Sequence, residues 1–275
     1  MLTTVSSQSS NRNLQCTRPG FVSVSRTLAT ERCGDTGYLN NNTLPLVALV
    51  SHPGSGNSWL RYLLEGASGI YTGSIYKDPG VFKSGMFGEG DNPTSRRTLV
   101  VKAHPSHEYL INITASFDKI VLLIRNPYEA FVAEFNRKMT KDHTGFAQVD
   151  DFNGEVWLEY IRIATRDWAM HQLHLIQSKK PLLLVTFDEL RANMSRELRR
   201  ILYFIGYKPP DMERRLECLG RNPVGDFKRP QTRTSYDPYV TDTMRMINHA
   251  VETIRKALLL KNLGNLPKWE RDIKL

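Results

Sequence analysis

Lys102 and His104, separated by one residue at the end of the apolar run TLVVKAHP, have the types and position to meet a ligand beyond a strand end. An imidazole there, with a reference pKa of about 6.5, can take a proton near neutral pH. A second candidate is VALVSHPGSGNSWLRYLLE, residues 47–65, where a β-branched stretch stops at Pro53-Gly54-Ser55-Gly56. An amphipathic pattern with Trp59, Leu60, Leu63 and Leu64 follows, which predicts strand, tight loop and helix. Gly54 and Gly56 admit turns closed to other residues, and Asn57 and Ser58 are candidate caps of the helix. The bare amides of a helix start favour an anion, so the loop is either a phosphate cradle or a strand-to-helix turn without a ligand. Arg125, delivered by the apolar run KIVLLI and followed by Asn126-Pro127, stands at a second junction of this kind. A guanidinium there can clamp a phosphate with paired donors, or pair with a surface carboxylate.

These groups need a scaffold that brings strand ends to one edge. Apolar runs at 46–50, 98–103, 119–124 and 181–187 read as buried strands, and helical periodicity follows from 127, over 155–178, 188–206 and 238–260. The alternation predicts one α/β domain with a central parallel sheet, in which ligand-binding groups gather beyond the carboxyl ends of the strands. Residues 69–97, with six glycines, Asp78-Pro79 and Asn92-Pro93, form either a substrate loop or lid, or a disordered insert. Arg191, Arg196, Arg199 and Arg200 read as the solvated face of a helix rather than a nucleic-acid patch. The stretch GRNPVGDFKRPQTR is a basic loop able to close over a bound anion.

The 275 residues carry 37 Lys+Arg against 28 Asp+Glu, a net charge of +9, which attracts anions without choosing among nucleic acid, phosphorylated cofactor and acidic glycan. Residues 1–43 are rich in Ser, Thr, Asn and Arg and read as a flexible leader or stem, with an organelle transit peptide as the alternative; 44–275 form the domain. No run of about 18 apolar residues predicts a membrane span. Cys16, Cys33 and Cys218 lack metal-ligand spacing and make no disulfide framework, leaving room for one bridge. Asn41, Asn112 and Asn193 head N-x-[ST] sequons, usable only in the secretory lumen. The loop is not a Walker A motif, because Asn57 follows Gly56 where that motif has lysine, which disfavours an ATP or GTP hydrolase.

In chain order, SHPGSGNSWL resembles the 5′-phosphosulfate loop of sulfotransferases, whose donor is 3′-phosphoadenosine 5′-phosphosulfate (PAPS). VVKAHP resembles their catalytic strand end, KIVLLIRNPYEA their 3′-phosphate-binding strand and helix, and GRNPVGDFKR their C-terminal phosphate-closing loop. The wording is closest to the sulfotransferase domains of WSC-domain-containing proteins. That resemblance implies a P-loop-like three-layer sandwich, a Golgi location and sulfation of sialic acid on glycans, with cytoplasm or mitochondrion as alternatives. It further implies that Gly54, Ser55, Gly56, Asn57 and Ser58 hold the 5′-phosphosulfate and that Trp59 stacks on adenine. Arg125, Arg221 and Lys228 bind the 3′-phosphate, Lys102 neutralises the sulfuryl group, and His104 takes the acceptor's proton. The implied partner is a glycan or other hydroxyl acceptor, with no nucleic acid and no metal. Two positions depart from the pattern: the loop lysine is Gly54, leaving Arg61 or Lys102 to supply its charge, and the helix serine is Ala133. The departures keep open a donor-binding protein with little or no catalysis; a small-molecule kinase using ATP is the third alternative.

Overall fold

The computed structural model describes residues 22–23, 33–105, 113–141, 145–225 and 236–273. β1 (Val22–Ser23) and β2 (Gly37–Tyr38) pair antiparallel. β3 (Val47–Ser51), β4 (Gly73–Ser74), β5 (Val101–Ala103), β6 (Lys119–Ile124) and β7 (Leu182–Thr186) form one parallel sheet in the order β4-β5-β3-β6-β7. Because side chains alternate along a strand, the continuous apolar runs of β3 and β6 supply both faces. Ala48, Val50, Ile120, Leu122 and Ile124 belong to one core with Phe131 of the helix Pro127–Thr140, Trp168 of the helix Glu155–Gln177 and Ile254 of the helix Thr241–Leu260. Val47, Leu49, Val121 and Leu123 belong to the other, with Leu60 of the helix Asn57–Ser68, Leu198 of Met194–Ile205 and Leu216 of Met212–Arg221.

That split places the site. β3 and β6 are neighbours, yet the helix after β3 covers one face and the helix after β6 covers the other. The two connections therefore leave the carboxyl edge towards opposite faces, and that edge is the usual place for a ligand in an open α/β sheet.

Residues 69–97 are built into the domain. They carry β4, the helix Pro79–Lys83 and a 3-10 turn at Phe87–Gly90, all held by a buried ion pair. Arg61, with no exposed surface, donates from Nη1 to Glu89 Oε1 at 2.5 Å, from Nε to Thr72 Oγ1 at 2.8 Å and from Nη2 to the Thr72 carbonyl at 3.0 Å. Glu65 Oε1 accepts from both Thr72 N and Thr72 Oγ1. Residues 33–43 also pack on the domain: Thr36 and Tyr38 are buried, and Cys33 forms a disulfide with Cys218.

Several boundaries differ from the sequence expectation. The expected helix over 188–206 is two, Phe187–Ala192 and Met194–Ile205, because Asn193 leaves helical geometry and its side chain accepts from Arg196 N to cap the second. The first of them begins at Phe187, capped by Thr186, and not at Asp188. The strand over 98–103 shortens to Val101–Ala103, and the last helix starts at Thr241 rather than 238. The helix Met212–Arg221 was not anticipated, since its short amphipathic pattern is crowded with charge.

The loop after β3 lies directly on the helix after β6. A Cβ at Gly54 would stand 2.3 Å from the Ala130 carbonyl oxygen and 3.1 Å from Glu134 N, and Gly54 has φ +81. Both the space and the backbone therefore demand glycine. Gly54→Ala is expected to lose about 1–3 kcal/mol of stability through a strained residue or a displaced loop. An unchanged chemical-denaturation midpoint would show that the close approach is not maintained in solution.

Candidate active site

Ser55 N donates back to the His52 carbonyl, and Gly56, with φ +89, opens the helix Asn57–Ser68 without a side-chain cap. Contrary to the sequence expectation, Asn57 does not cap the helix, because it turns inward. Its Nδ2 donates to Ser51 Oγ at 3.0 Å and reaches the Leu49 carbonyl at 3.4 Å, tying the helix start to the end of β3. Ser58 is likewise a helical residue and leaves the cap position to Gly56. The first turn contains no acidic residue, so the positive end of the helix is not neutralised from within. Ser55 Oγ and Asn57 Oδ1 are buried with no hydrogen-bond partner among the described residues. A buried hydroxyl left unpaired beside uncapped amides fits an anion that would accept from it.

Arg125 reaches the loop that follows β3. Its Nη1 donates to the Gly54 carbonyl at 3.0 Å, while Nε and Nη2 donate to Glu129 Oε2 at 3.0 and 2.8 Å. Its guanidinium lies 4.5 Å from the ring centre of Phe187, and Trp59 meets the same ring at 5.2 Å. A Cβ on Gly56 would come within 2.7 Å of the Phe187 ring. Gly56, Trp59, Arg125 and Phe187 therefore form one contact group across three strand ends. Phe187 was missed in the sequence because it reads as the last apolar residue of a strand; its place just beyond a parallel strand was the available signal.

Trp59 Nε1 donates to the Pro223 carbonyl at 2.8 Å, and Tyr62 Oη donates to the Asn222 carbonyl at 2.9 Å. These bonds bring the start of the basic 220–233 stretch to the donor-side helix. Arg221 itself is exposed and paired with Glu217 at 3.0 Å, away from Arg125's contacts. Lys228 lies outside the described residues, as does Asn112.

On the other side of β3, β5 delivers Lys102 and His104. His104 Nδ1 stands 2.8 Å from the Ser51 carbonyl. A carbonyl can only accept, so Nδ1 carries the hydrogen and Nε2 keeps its lone pair. Burial, reinforced by the Lys102 charge, pushes the His104 pKa down to about 4. The ring is therefore neutral at pH 7. Burial also lowers the pKa of Lys102, with the Arg61 charge adding to the effect. Arg61 is not available to replace a loop lysine, since its donors are spent on Glu89 and Thr72. Ala133, the second departure, lies on the helix turn between Ala130 and Glu134, the two residues against which Gly54 rests. Both departures thus fall at one contact between loop and helix. Among the described residues no group of His, Cys, Asp or Glu could hold a metal ion, and no helix is long and apolar enough to cross a membrane.

Residues 87–220 match the family model described as Sulfotransferase domain. A WSCD family member of Drosophila melanogaster is 36% identical over 256 residues, covering 82% of this chain and 78% of that protein. One of Drosophila pseudoobscura pseudoobscura is 36% identical over 269 residues, covering 88% and 82%. Among solved structures, a mouse sulfotransferase complexed with PAP has a TM-score of 0.52 at 17% identity, over 82% of this chain and 88% of that one, a likeness of fold. The chain belongs to the WSCD family and carries a sulfotransferase domain on the sulfotransferase fold.

Proposed function

We propose that the chain moves a sulfuryl group from PAPS to a hydroxyl on a sialic acid or other glycan. The observation that carries this reading is the pairing of an anion-ready helix start with a neutral imidazole on the adjacent strand, its Nε2 unprotonated. PAPS supplies an activated sulfuryl group joined to a phosphate leaving group. The Ser55 hydroxyl and the amides of residues 56–58 hold the 5′ end, and Arg125 with the basic segment holds the 3′-phosphate. Trp59 and Phe187 offer ring faces to the base. His104 Nε2 takes the acceptor's proton as its oxygen bonds to sulfur and the sulfur–phosphate oxygen bond breaks. Lys102 stabilises the charge passing through the sulfuryl group, as a preorganised cation does best in a poorly solvated site. The glycan acceptor is supported by the resemblance, and the net charge of +9 is compatible with an acidic one.

A second reading, donor binding with little catalysis, draws on one observation: Glu129 and the Gly54 carbonyl already occupy the Arg125 guanidinium. A 3′-phosphate must displace or share the Glu129 contact. Calorimetry separates the readings together with turnover. The protein is expected to bind 3′-phosphoadenosine 5′-phosphate (PAP) far more tightly than AMP, and Arg125→Ala to weaken PAP roughly 10- to 100-fold. Equal affinity for the two nucleotides would remove the donor assignment. His104→Ala is expected to bind PAP normally and to lose about 10²–10⁴ in turnover of labelled PAPS with sialylated glycans. Donor binding without turnover in the unaltered protein, across glycan, peptide and phenolic acceptors, selects the binding reading.

A lumenal, Golgi-type compartment is the third part of the proposal, and the Cys33–Cys218 bridge supports it, since such bridges persist in oxidising compartments. Asn41 is exposed in a turn that precedes β3. Peptide mapping of protein from its natural cells is expected to find Cys33 joined to Cys218 and a glycan on Asn41. Free thiols at both cysteines with an unmodified Asn41 would refute the lumenal location.

A further inference from the structure

We propose that Tyr76 is the positioning residue for the reactive pair, holding the main chain of His104 through its phenol and the Lys102 ammonium through its ring. The inference rests on the catalytic reading of His104 above. β4 and β5 run in parallel register, with Ser74 opposite Lys102, and Ile75 N donates to the Lys102 carbonyl at 3.2 Å. The ladder then stops, because Lys77 turns the chain away with φ +52. β5 likewise ends at Ala103, so His104 leaves the sheet just where its imidazole is needed. The Tyr76 side chain takes the place of the missing strand. Its Oη accepts from His104 N at 2.7 Å and donates to the His104 carbonyl at 3.1 Å. One hydroxyl thus satisfies both main-chain groups of a single residue, fixing its φ and ψ from outside the ladder.

The imidazole is fixed separately by the Nδ1 contact to the Ser51 carbonyl on β3. His104 is therefore held at three points by two different strands' extensions. The Tyr76 ring lies 5.7 Å from the His104 ring, and Lys102 Nζ is 5.6 Å from the Tyr76 ring centre, within range of a cation–π attraction. Tyr76 is itself anchored two residues away, where Asp78 N donates to Glu89 Oε2, the other oxygen of the carboxylate that holds Arg61. The buried ion pair, the 69–97 segment, Tyr76 and His104 form one mechanical series.

Tyr76→Phe removes the hydroxyl and keeps the ring. The expected result is a fall in kcat of about 10- to 100-fold, as for a small misplacement of a reacting group. The PAP dissociation constant and thermal midpoint should stay within about twofold and a few degrees, because the Tyr76 hydroxyl lies near solvent and water can replace its bonds. Since Tyr76 acts through His104, adding Tyr76→Phe to His104→Ala should cost nothing further. A spectrum of ¹⁵N-labelled histidine, with the His104 signal assigned by its loss in His104→Ala, reads the same point without turnover. The unaltered protein should show the Nδ1-protonated tautomer, and Tyr76→Phe should shift or broaden that signal. An unchanged kcat, an equal loss in the His104→Ala background, or an unaltered His104 signal would each overturn the proposal. Failure of the unaltered protein to bind PAP would instead sink the donor reading, while the histidine spectrum still decides whether Tyr76 holds His104.

Discussion

The fully buried pair of Arg61 and Glu89 is the interaction on which the site's geometry depends. Neither residue has side-chain exposure, so neither charge is solvated, and each needs the other. Arg61 comes from the helix that follows the loop at 52–56, and Glu89 from the segment that leads into β5. The pair therefore fixes the loop proposed to meet an anion relative to the strand end proposed to meet a hydroxyl. Replacing such a pair by well-packed apolar side chains can be neutral for stability, whereas removing one partner strands a charge. What the ionic version provides is direction: the fork of the guanidinium also engages Thr72 twice, fixing β4 against the helix as well as Glu89.

Around that frame the electrostatics divide into two regions. On the side of Arg125 the cation is already paired, so a phosphate bound there as proposed would compete with Glu129 for donors rather than meet an open charge. On the side of His104 the groups are poorly solvated and disfavour charge. Burial lowers the pKa of His104, of Lys102 and of His52, the last to about 3 and with its ring edge-on to Phe131. Three bases with lowered pKa near one strand edge make a region that favours the arrival of negative charge, which would restore their proton affinity. These groups also tie stability to pH. Folded pKa values below the unfolded reference near 6.5 mean that His52 and His104 favour the folded state fully above that value. Their contribution is lost as the pH falls towards about 4 and then 3.

Much of this was legible in the residues. The runs at 46–50 and 119–124 could only be central strands, because neither alternates with polar positions, and Pro127 marked a helix start that the structure keeps. Lys102, His104, Arg125 and the glycine loop fall at the ends of neighbouring parallel strands, where the apolar runs of the sequence place them. Other features resisted reading because they depend on partners far away in sequence. Arg61 looked available for chemistry, and only the return of Glu89 from 28 residues on shows it enclosed. Residues 69–97 looked like a lid because glycines and prolines suggest a loop, while their order comes from a buried carboxylate. Asn57 had the composition of a cap, yet the left-handed Gly56 took that position and freed its amide to brace β3. Cys33 and Cys218 carried no spacing signal, since 185 residues separate them.

That separation bears on the order in which the molecule can be made. During synthesis Cys33 emerges first and must wait, as a free thiol, until the helix bearing Cys218 has left the ribosome, by which time every strand of the main sheet is already available to pair. The bond therefore cannot direct assembly of the sheet; it locks a product that packing has chosen. Once closed, it makes a covalent ring containing both the loop at 52–56 and His104, with the chain beyond Cys218 leaving as a tail. The basic stretch that begins at Gly220 is the root of that tail, moored to the ring by the Trp59 and Tyr62 hydrogen bonds. A reducing environment would open the ring without touching any group that meets a ligand, so loss of the bridge would act on the protein's lifetime before it acted on its chemistry.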